Sequence, residues 1–432
     1  MKRALLCALV VVMAGCAVPA ATPGQSEPGT DRLGWEGGYW YDDPVSVDAT
    51  DGLNESEREA VVSRAMARVE HVRDLEFEEP VELRVITREE YRQSRGGGSD
   101  GTHAKWNNQV WEGLFLVGED TSVDDAFNST LGSSVLGYYR PGTNEIVVVS
   151  DGEPVVDRGT LVHELVHALQ DQQFGLDDTP DTQDRQLARN GVVEGEANLI
   201  EARYEQRCEG AWDCVEMGSG SGGGGGGDTN RGLLLVILAP YTAGQDFVTA
   251  IERRGGWEAV NDLHREFPAS SAQLVDPEQY PDRTPVDVSV PDRSNGEWER
   301  FDHEPVADTV GQASIHATFV HNNVRAGSVG RYSYDHPAAE GWAGDSLVPY
   351  RNGDRYGYVW ETAWESEGEA RQFADAYREL LESHGGQFRG GGVAVVPEDS
   401  PFGDAFRVRR DGRRVRIVNG PTVDSLSAIH GS

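Results

Sequence analysis

Lysine is almost absent from this 432-residue sequence. Lys2 and Lys105 are its only lysines among 38 lysines and arginines, which face 73 aspartates and glutamates and leave a formal net charge of −35. So acidic a chain repels the phosphate backbone, which argues against a nucleic-acid partner. Because the acidic residues run along the whole chain, we expect a halophilic protein, whose self-repulsion concentrated salt would screen. A surface that binds cations or basic partners is the alternative.

Cysteine is also scarce. Cys7 and Cys16 lie near the start of the chain, and the other two cysteines, Cys208 and Cys214, are separated by five residues. In an oxidising compartment Cys208 and Cys214 would close a small disulfide loop. A metal-binding pair is the alternative, although no further cysteine or nearby histidine completes a set of ligands.

The apolar run at the start of the chain is too short to span a membrane. Residues 4–13 follow a basic pair and lead into Met-Ala-Gly-Cys at residues 13–16, a pattern typical of an export signal. Its end is similar to a lipobox, in which small residues precede a cysteine that becomes lipid-modified. We therefore predict a signal peptide over residues 1–16 and lipidation at Cys16. A plain cleavable signal or an uncleaved anchor is the alternative.

The segment after Cys16 has the composition of a linker. Residues 17–35 are rich in proline, glycine, serine and threonine, which predicts a flexible tether. Joined to a lipid on Cys16, it would hold an exported protein at the outer face of the cytoplasmic membrane, so we expect a cell-surface localisation.

The most informative segment is an HExxH motif. His163-Glu164-Leu165-Val166-His167 places two histidines four residues apart, on one face of a helix, where both imidazoles can hold one metal ion. Glu164 follows the first histidine, and a carboxylate there can take a proton from water that the metal activates. The residues around these three are uncharged, as a helix buried behind an active site requires. A chance match to this short pattern is the alternative.

Two histidines do not complete a catalytic zinc site, which has three protein ligands and one open position. Residues 170–173 read Gln-Asp-Gln-Gln, so a third histidine does not follow as it does in metzincins. A second helix pattern at residues 191–202 interleaves apolar residues with the carboxylates of Glu194, Glu196 and Glu201. The residues alone do not decide which of these three would be the ligand.

The sequence resembles the gluzincin-type metallopeptidases, whose third ligand is a glutamate on a later helix. The match rests on His163, Glu164, His167 and the Glu-Gly-Glu-Ala stretch at residues 194–197. The resemblance implies that Zn²⁺ is held by His163, His167 and Glu194, that Glu164 is the catalytic base, and that the fold is zincin-like and α+β.

The other carboxylates then take supporting or solvated positions. Glu196 lies about 200° round the helix from Glu194, so both cannot face one metal. Asn198 departs from the thermolysin-like members, which carry an aspartate four residues after the ligand to orient a histidine, and this puts that role in doubt. Glycine at position 195 would let the helix approach its neighbour closely.

A β-hairpin is predicted before the motif. Residues 135–139 and 145–149 flank a Pro-Gly-Thr-Asn turn at 141–144, which is a hairpin signature. In zincins an edge strand above the metal pairs with the substrate backbone, so the resemblance implies this role for one of the two strands. An ordinary half-buried hairpin is the alternative.

The sequence also resembles a broader group of secreted and surface proteins of bacteria and halophilic archaea, over most of residues 70–385. Besides the two helices, the group shares four segments of this sequence: residues 240–248, 255–257, 277–280 and 341–345. Peptidase activity in that group is itself an inference, so the likeness bears on the fold more than on the substrate.

The length of the chain suggests two domains. We predict a zincin-like metallopeptidase domain over residues 36–290, with a glycine-rich insertion at 218–228, and a smaller α+β domain over 291–432. Helices are expected at residues 55–72 and 369–383, and strands at 81–87 and 114–117. The segments 345–360 and 405–418 alternate in a strand-like way.

These features favour an exported, lipid-anchored zinc metallopeptidase that hydrolyses a peptide or protein outside the cell. The alternative is a surface-anchored binding or envelope protein with a zincin fold and no physiological proteolysis. The intact Glu164 favours the enzyme, because a purely structural site has no need of a base. An oxyanion donor is also expected, for which Tyr138 and Tyr139 are candidates because they precede the motif closely.

Overall fold

The structure is a computed structural model of the chain. It describes residues 28, 30–47, 52–94, 101–131, 135–150, 156–215, 229–325, 330 and 332–431. The predicted signal peptide with Cys16, nearly all of the predicted tether before residue 30, and the glycine-rich insertion at 218–228 lie outside these residues.

Helices and strands occur together throughout the described chain, which confirms the α+β class. The helices are α1 (Glu55–Arg73), α2 (Arg88–Ser94), α3 (Thr102–Gly113), α4 (Val123–Leu131), α5 (Arg158–Phe174), α6 (Gln183–Cys208), α7 (Arg231–Leu263), α8 (Ser271–Val275), α9 (Gly311–His321), α10 (Glu367–Ser383) and α11 (Val423–Ile429). The strands are β1 (Trp35–Glu36), β2 (Tyr39–Trp40), β3 (Glu82–Thr87), β4 (Gly137–Arg140), β5 (Glu145–Ser150), β6 (Glu299–Arg300), β7 (Trp342–Asn352), β8 (Arg355–Trp364), β9 (Gln387–Arg389), β10 (Val393–Val395), β11 (Ala405–Asp411) and β12 (Arg414–Gly420).

A small mixed sheet carries the predicted hairpin. Its strand order is β3-β5-β4, with β5 parallel to β3 and antiparallel to β4. The hairpin turn ends at Asn144, whose φ of 50° is left-handed, a conformation that asparagine tolerates better than most residues. β5 is the central strand, and its valines are buried. In the described part of the chain β4 is an edge strand, so one side of its backbone remains open to pairing.

The helix α6 lies between α5 and α7 and approaches α7 without intervening side chains. A Cβ atom added at Gly195 would lie 2.3 Å from the carbonyl carbon of Gly244, and one added at Gly244 would lie 2.3 Å from the oxygen of Gly191. Such distances leave room for hydrogen alone, so the two backbones touch at this crossing. The predicted close approach after Glu194 is confirmed.

Both ends of α6 are fixed by polar or covalent contacts. The Gln183 N–H donates to the carboxylate of Asp308 at 2.9 Å, and the buried Asp184 accepts from the Ser271 N–H at 2.9 Å. At the other end a disulfide joins Cys208 and Cys214, as the cysteine spacing predicts. These contacts hold the helix in position along its whole length.

Among the described helices, α7 alone is long and apolar enough to cross a membrane by length and composition. Half of its most apolar stretch is buried inside the protein, as in the core helix of a globular domain. Gly256, with φ 67° and ψ −165°, breaks the helical conformation near its end, so α7 consists of two helical pieces.

A seven-stranded sheet occupies the C-terminal part of the chain, in the order β6-β7-β8-β12-β11-β10-β9. All neighbouring strands are antiparallel. The strand-like segments at 345–360 and 405–418 each span a hairpin, β7–β8 and β11–β12. The helix α3, which comes much earlier in the chain, packs against β7 and β8. One continuous apolar core therefore runs from α3 and α7 into this sheet, and the domain division at residue 290 stays a prediction.

The predicted strand at residues 114–117 is wrong. These residues form a turn after α3, with Phe115 at a left-handed φ of 55°. All four side chains are buried, and the Phe115 ring lies 4.5 Å from that of Phe402 and 5.6 Å from that of Phe406 between centroids. The apolar run reflects burial of a turn in the core, which a short run cannot distinguish from a strand.

The contact between α6 and α7 makes Gly195→Ala a sensitive substitution. Alanine adds about 1 kcal/mol of helix propensity, but the added methyl collides with the α7 backbone, and overpacking of this kind costs about 1–3 kcal/mol. We expect a net loss in the free energy of unfolding, measured by urea denaturation. Gly296→Ala, where no atom lies within 4 Å of the added Cβ, is the control and should be near neutral. A Gly195→Ala protein as stable as its parent would contradict the observed packing.

Candidate metal centre

The helix α5 turns His163 and His167 towards α6, against which it packs. The Asp157 side chain caps the helix by accepting the Thr160 N–H at 2.9 Å, which sets where the first turn begins. The imidazole rings of His163 and His167 lie 4.8 Å apart between centroids, at 84° to one another. Both rings therefore face the same space, as the spacing of the motif predicts.

The helix α6 brings Glu194 between the two imidazoles. Its Oε2 atom lies 3.1 Å from His163 Nε2 and 3.3 Å from His167 Nε2. One ligand atom from each of the three residues lies within 4.8 Å of the others. A tetrahedral zinc site with metal–ligand distances of about 2.0–2.2 Å requires ligand atoms roughly 3.3–3.5 Å apart. Two nitrogens, one carboxylate oxygen and this spacing fit zinc with one position left open.

The outer nitrogen of each imidazole has a partner that orients the ring. His163 Nδ1 lies 3.2 Å from Glu201 Oε2, and His167 Nδ1 lies 2.9 Å from Gln170 Oε1. With Nδ1 as the donor in both cases, the lone pairs of Nε2 point towards Glu194, which is the tautomer that metal binding needs. Glu201, which the sequence leaves as supporting or solvated, thus supports His163. Asn198 instead donates to the carbonyl oxygen of Tyr241 at 2.9 Å.

Glu196 is buried behind the candidate centre in a polar network. It pairs with Arg73, lies 2.5 Å from His264 Nε2 and accepts from Gln170 Nε2 at 2.8 Å. Burial alone would raise the pKa of Glu196, but the charges of Arg73 and His264 outweigh it and hold the pKa well below its usual range. Because Gln170 also contacts His167, this network fixes the second imidazole from behind.

Glu164 lies at the junction of α5 and the edge strand β4. The residue is 7% exposed, and its carboxylate accepts a hydrogen bond from the backbone N–H of Tyr139. Burial raises the pKa of this carboxyl, against the charges of the two histidines, which lower it. The side chain is thus held at a fixed place beside the three converging residues.

Tyr241 on α7 is a further candidate that sequence analysis missed. Its ring stacks on His163, with centroids 6.2 Å apart, and its hydroxyl hydrogen-bonds to Glu194. Burial raises the pKa of this phenol, which keeps it a hydrogen-bond donor. The only sequence signal was its place in the segment at 240–248. The predicted tyrosines point elsewhere: Tyr139 donates to Asp171 at 2.9 Å, and Tyr138 accepts from an arginine.

The three converging residues shift one another's pKa values. Burial disfavours charge on His163, but hydrogen bonds that the ring donates to Glu194 and Glu201 raise its pKa to about 10. Burial would also raise the pKa of Glu194, yet the histidines hold it well below the usual range of a carboxyl. A metal ion binding here would therefore displace protons, as at other histidine sites.

Removing Arg73 should leave the buried carboxylate of Glu196 without enough positive charge around it. Breaking a buried pair by losing one partner costs about 3–5 kcal/mol, so we expect Arg73→Met to lower the free energy of unfolding by this amount in urea denaturation. Glu196 has a depressed pKa, so its stabilising contribution is present above the pKa of an unfolded glutamate, about 4.3, and is lost only as the pH falls through the lower folded value. The difference from the parent should therefore persist from pH 8 to pH 5.

The exposed pair of Arg265 and Asp262, whose side chains are 66% and 65% exposed, supplies the matched control. Arg265→Met should cost less than about 1 kcal/mol. Equal losses in the free energy of unfolding from Arg73→Met and Arg265→Met would contradict a stabilising role of the buried network.

Comparison with known families finds one match. A model described as a domain of unknown function, DUF8575, matches residues 299–430. No curated protein matches the chain. The matched region holds the strands β6 to β12, and it leaves out His163, Glu164, His167 and Glu194. The likeness therefore concerns the C-terminal sheet and not the candidate metal centre.

Proposed function

We propose that this protein is a zinc-dependent metallopeptidase that hydrolyses peptide bonds outside the cell. The observation that carries the proposal is the convergence of His163, His167 and Glu194 on one point, with spacing suited to tetrahedral zinc. Glu164, the residue that a purely structural metal site would not need, lies beside them.

His163, His167 and Glu194 would hold Zn²⁺. Bound there, zinc would polarise the scissile carbonyl and lower the pKa of water towards about 7. Glu164 takes the water proton and later delivers it to the leaving amine. Its hydrogen bond from the Tyr139 N–H keeps the carboxylate in place for both transfers.

Tyr241 is the candidate donor to the oxyanion that develops on the substrate carbonyl. The stacking on His163 and the contact with Glu194 keep its hydroxyl at the margin of the candidate centre. A donor aimed at developing charge in a water-poor site contributes strongly to the rate. The open edge of β4 is suited to pair with the substrate backbone, and its Tyr139 already contacts the catalytic base.

Export and lipid anchoring complete the proposal. The apolar run at residues 4–13 and the lipobox-like end at Cys16 support a position at the outer face of the cytoplasmic membrane. The disulfide between Cys208 and Cys214 accords with an oxidising compartment. The net charge of −35 accords with activity in concentrated salt.

Zinc content tests the ligand set. The full chain purified in high salt should contain about one zinc ion per chain by elemental analysis, because a catalytic site takes three protein ligands. Glu194→Ala should lose most of it, whereas Glu258→Ala, on the exposed side of α7, should retain it. Absence of metal in the parent, even after zinc is offered, would contradict the proposal and favour the binding or envelope protein.

Activity tests the base. Glu164→Gln should keep its zinc and lose at least about 10²-fold in the hydrolysis of a peptide library, because the amide cannot accept the proton. Glu258→Gln is the matched control and should be fully active. Full activity in Glu164→Gln would overturn the mechanism.

The same assay tests the role of Tyr241. Tyr241→Phe should lower kcat by about 10²-fold with zinc content unchanged, since it removes one oxyanion donor.

The parent protein in this assay separates the two functions. A parent that holds zinc but cleaves no peptide in the library would favour the surface-anchored binding or envelope protein without proteolysis.

A further inference from the structure

A second group of carboxylates, which shares no residue with the candidate zinc centre, lies where the turn after α3 meets the C-terminal sheet. Glu112 lies in the last turn of α3, Glu119 follows in the next loop, and Asp404 precedes β11. One carboxylate oxygen from each lies within 4.8 Å of the others. Glu112 and Asp404 are buried and Glu119 is exposed, so the group has one edge open to solvent.

The negative charges of these carboxylates oppose one another. Burial, reinforced by Asp404 and Glu119, raises the pKa of Glu112 well above its usual value. Burial and the charge of Glu119 raise the pKa of Asp404 to about 8. Among the residues that the structure describes, no arginine, lysine or histidine forms an ion pair with any of the three. Three such groups cannot all ionise together without a counter-charge.

Two buried amides point to an ion as that counter-charge. Gln109 Nε2 donates to Glu112 at 2.5 Å, and Asn419 Nδ2 donates to Asp404 at 2.9 Å. Gln109 is 6% exposed and Asn419 is 0% exposed, yet the carbonyl oxygen of each amide has no hydrogen-bond partner. Each unpaired oxygen belongs to the planar group that already touches the carboxylates. A 180° rotation of each side-chain amide would exchange its nitrogen and oxygen and turn the oxygen towards an ion bound between the carboxylates.

We propose that Glu112, Glu119 and Asp404, with the amide oxygens of Gln109 and Asn419, bind one calcium ion. Every donor in this set is an oxygen, and calcium takes six to eight oxygen ligands in a flexible geometry. Zinc prefers the nitrogen-containing set of the other centre. Magnesium demands an octahedron and retains several waters, which the buried side of this group does not admit. Water can complete the calcium shell at the open edge beside Glu119.

The ion would join segments that are distant in the sequence but already touch. The Glu119 N–H donates to the Pro401 oxygen at 3.0 Å, and a Cβ atom added at Gly118 would lie 2.7 Å from the Pro401 side chain. The ligands are therefore held near one another before an ion arrives. Calcium would fasten the loop after α3 to the sheet in the region that DUF8575 matches, whether or not the protein is a peptidase.

Calcium titration of the full chain tests this site. After chelation and dialysis, with zinc restored and about 1 M KCl present to screen diffuse binding to the acidic surface, calorimetry should show about one calcium ion per chain. The midpoint of thermal unfolding should rise by about 3–5 °C at a calcium concentration 100-fold above Kd. Magnesium at the same concentration should produce a smaller shift.

Two double variants separate the site from general acidity. Glu112→Gln with Asp404→Asn keeps the shape of the protonated side chains and should fold, with an unfolding midpoint in EGTA at least equal to that of the parent. Calcium should no longer raise that midpoint. Glu398→Gln with Asp399→Asn removes the same charge from exposed positions of the preceding segment and should keep the full calcium response.

The outcomes decide the proposal. A saturable calcium response that the first double variant loses and the second retains supports the site. A parent without saturable binding, or equal responses in both double variants, overturns it and leaves the group as carboxyls that share protons.

Discussion

The packing of α6 between α5 and α7 determines where every polar group of the candidate metal centre lies. Bare backbone at Gly191, Gly195 and Gly244 lets the two helices touch. Glu194 is thereby held opposite the histidines of α5, and Tyr241 of α7 reaches the same point. The distances of 3.1 Å and 3.3 Å that link Glu194 to the two imidazoles follow from where these helices cross. Larger side chains where α6 crosses α7 would move Glu194, the histidines of α5 and Tyr241 away from one another.

The buried carboxylate of Glu196 and those of Glu112 and Asp404 have different kinds of partner. Glu196 has Arg73 and His264 as partners within the fold, so it remains ionised and stabilises the site at neutral pH. Glu112 and Asp404 instead accept hydrogen bonds from the amides of Gln109 and Asn419. Arginines are buried elsewhere in the protein, Arg64, Arg68 and Arg73 among them, but none pairs with these two carboxylates in the described part of the chain, and a bound cation would supply the counter-charge there.

Local patterns in the sequence anticipated the parts of the fold that depend on neighbouring residues. The HExxH spacing placed His163 and His167 on one face of a helix, and the hairpin before them follows from its turn residues. Glu194 came from the resemblance to gluzincins and not from its spacing, since Glu196 and Glu201 share its helix. Contacts over long separations left no such signal: Arg73 and His264 lie 123 and 68 residues from the glutamate they pair with. The predicted strand at 114–117 was wrong for the same reason. The apolar run there reflects the aromatic rings that pack around Phe115, and these come from distant parts of the chain.

The helix α3 belongs to a part of the chain that DUF8575 does not match, yet it covers one face of β7 and β8 within the matched region. The packed core around this sheet therefore extends beyond the residues that the family model matches. Cut out at residues 299–430, the sheet would expose the apolar side chains against which α3 packs, Leu347 and Tyr358 among them. The helix α3 therefore covers apolar surface of the matched region, and a fragment limited to that region would lack this cover.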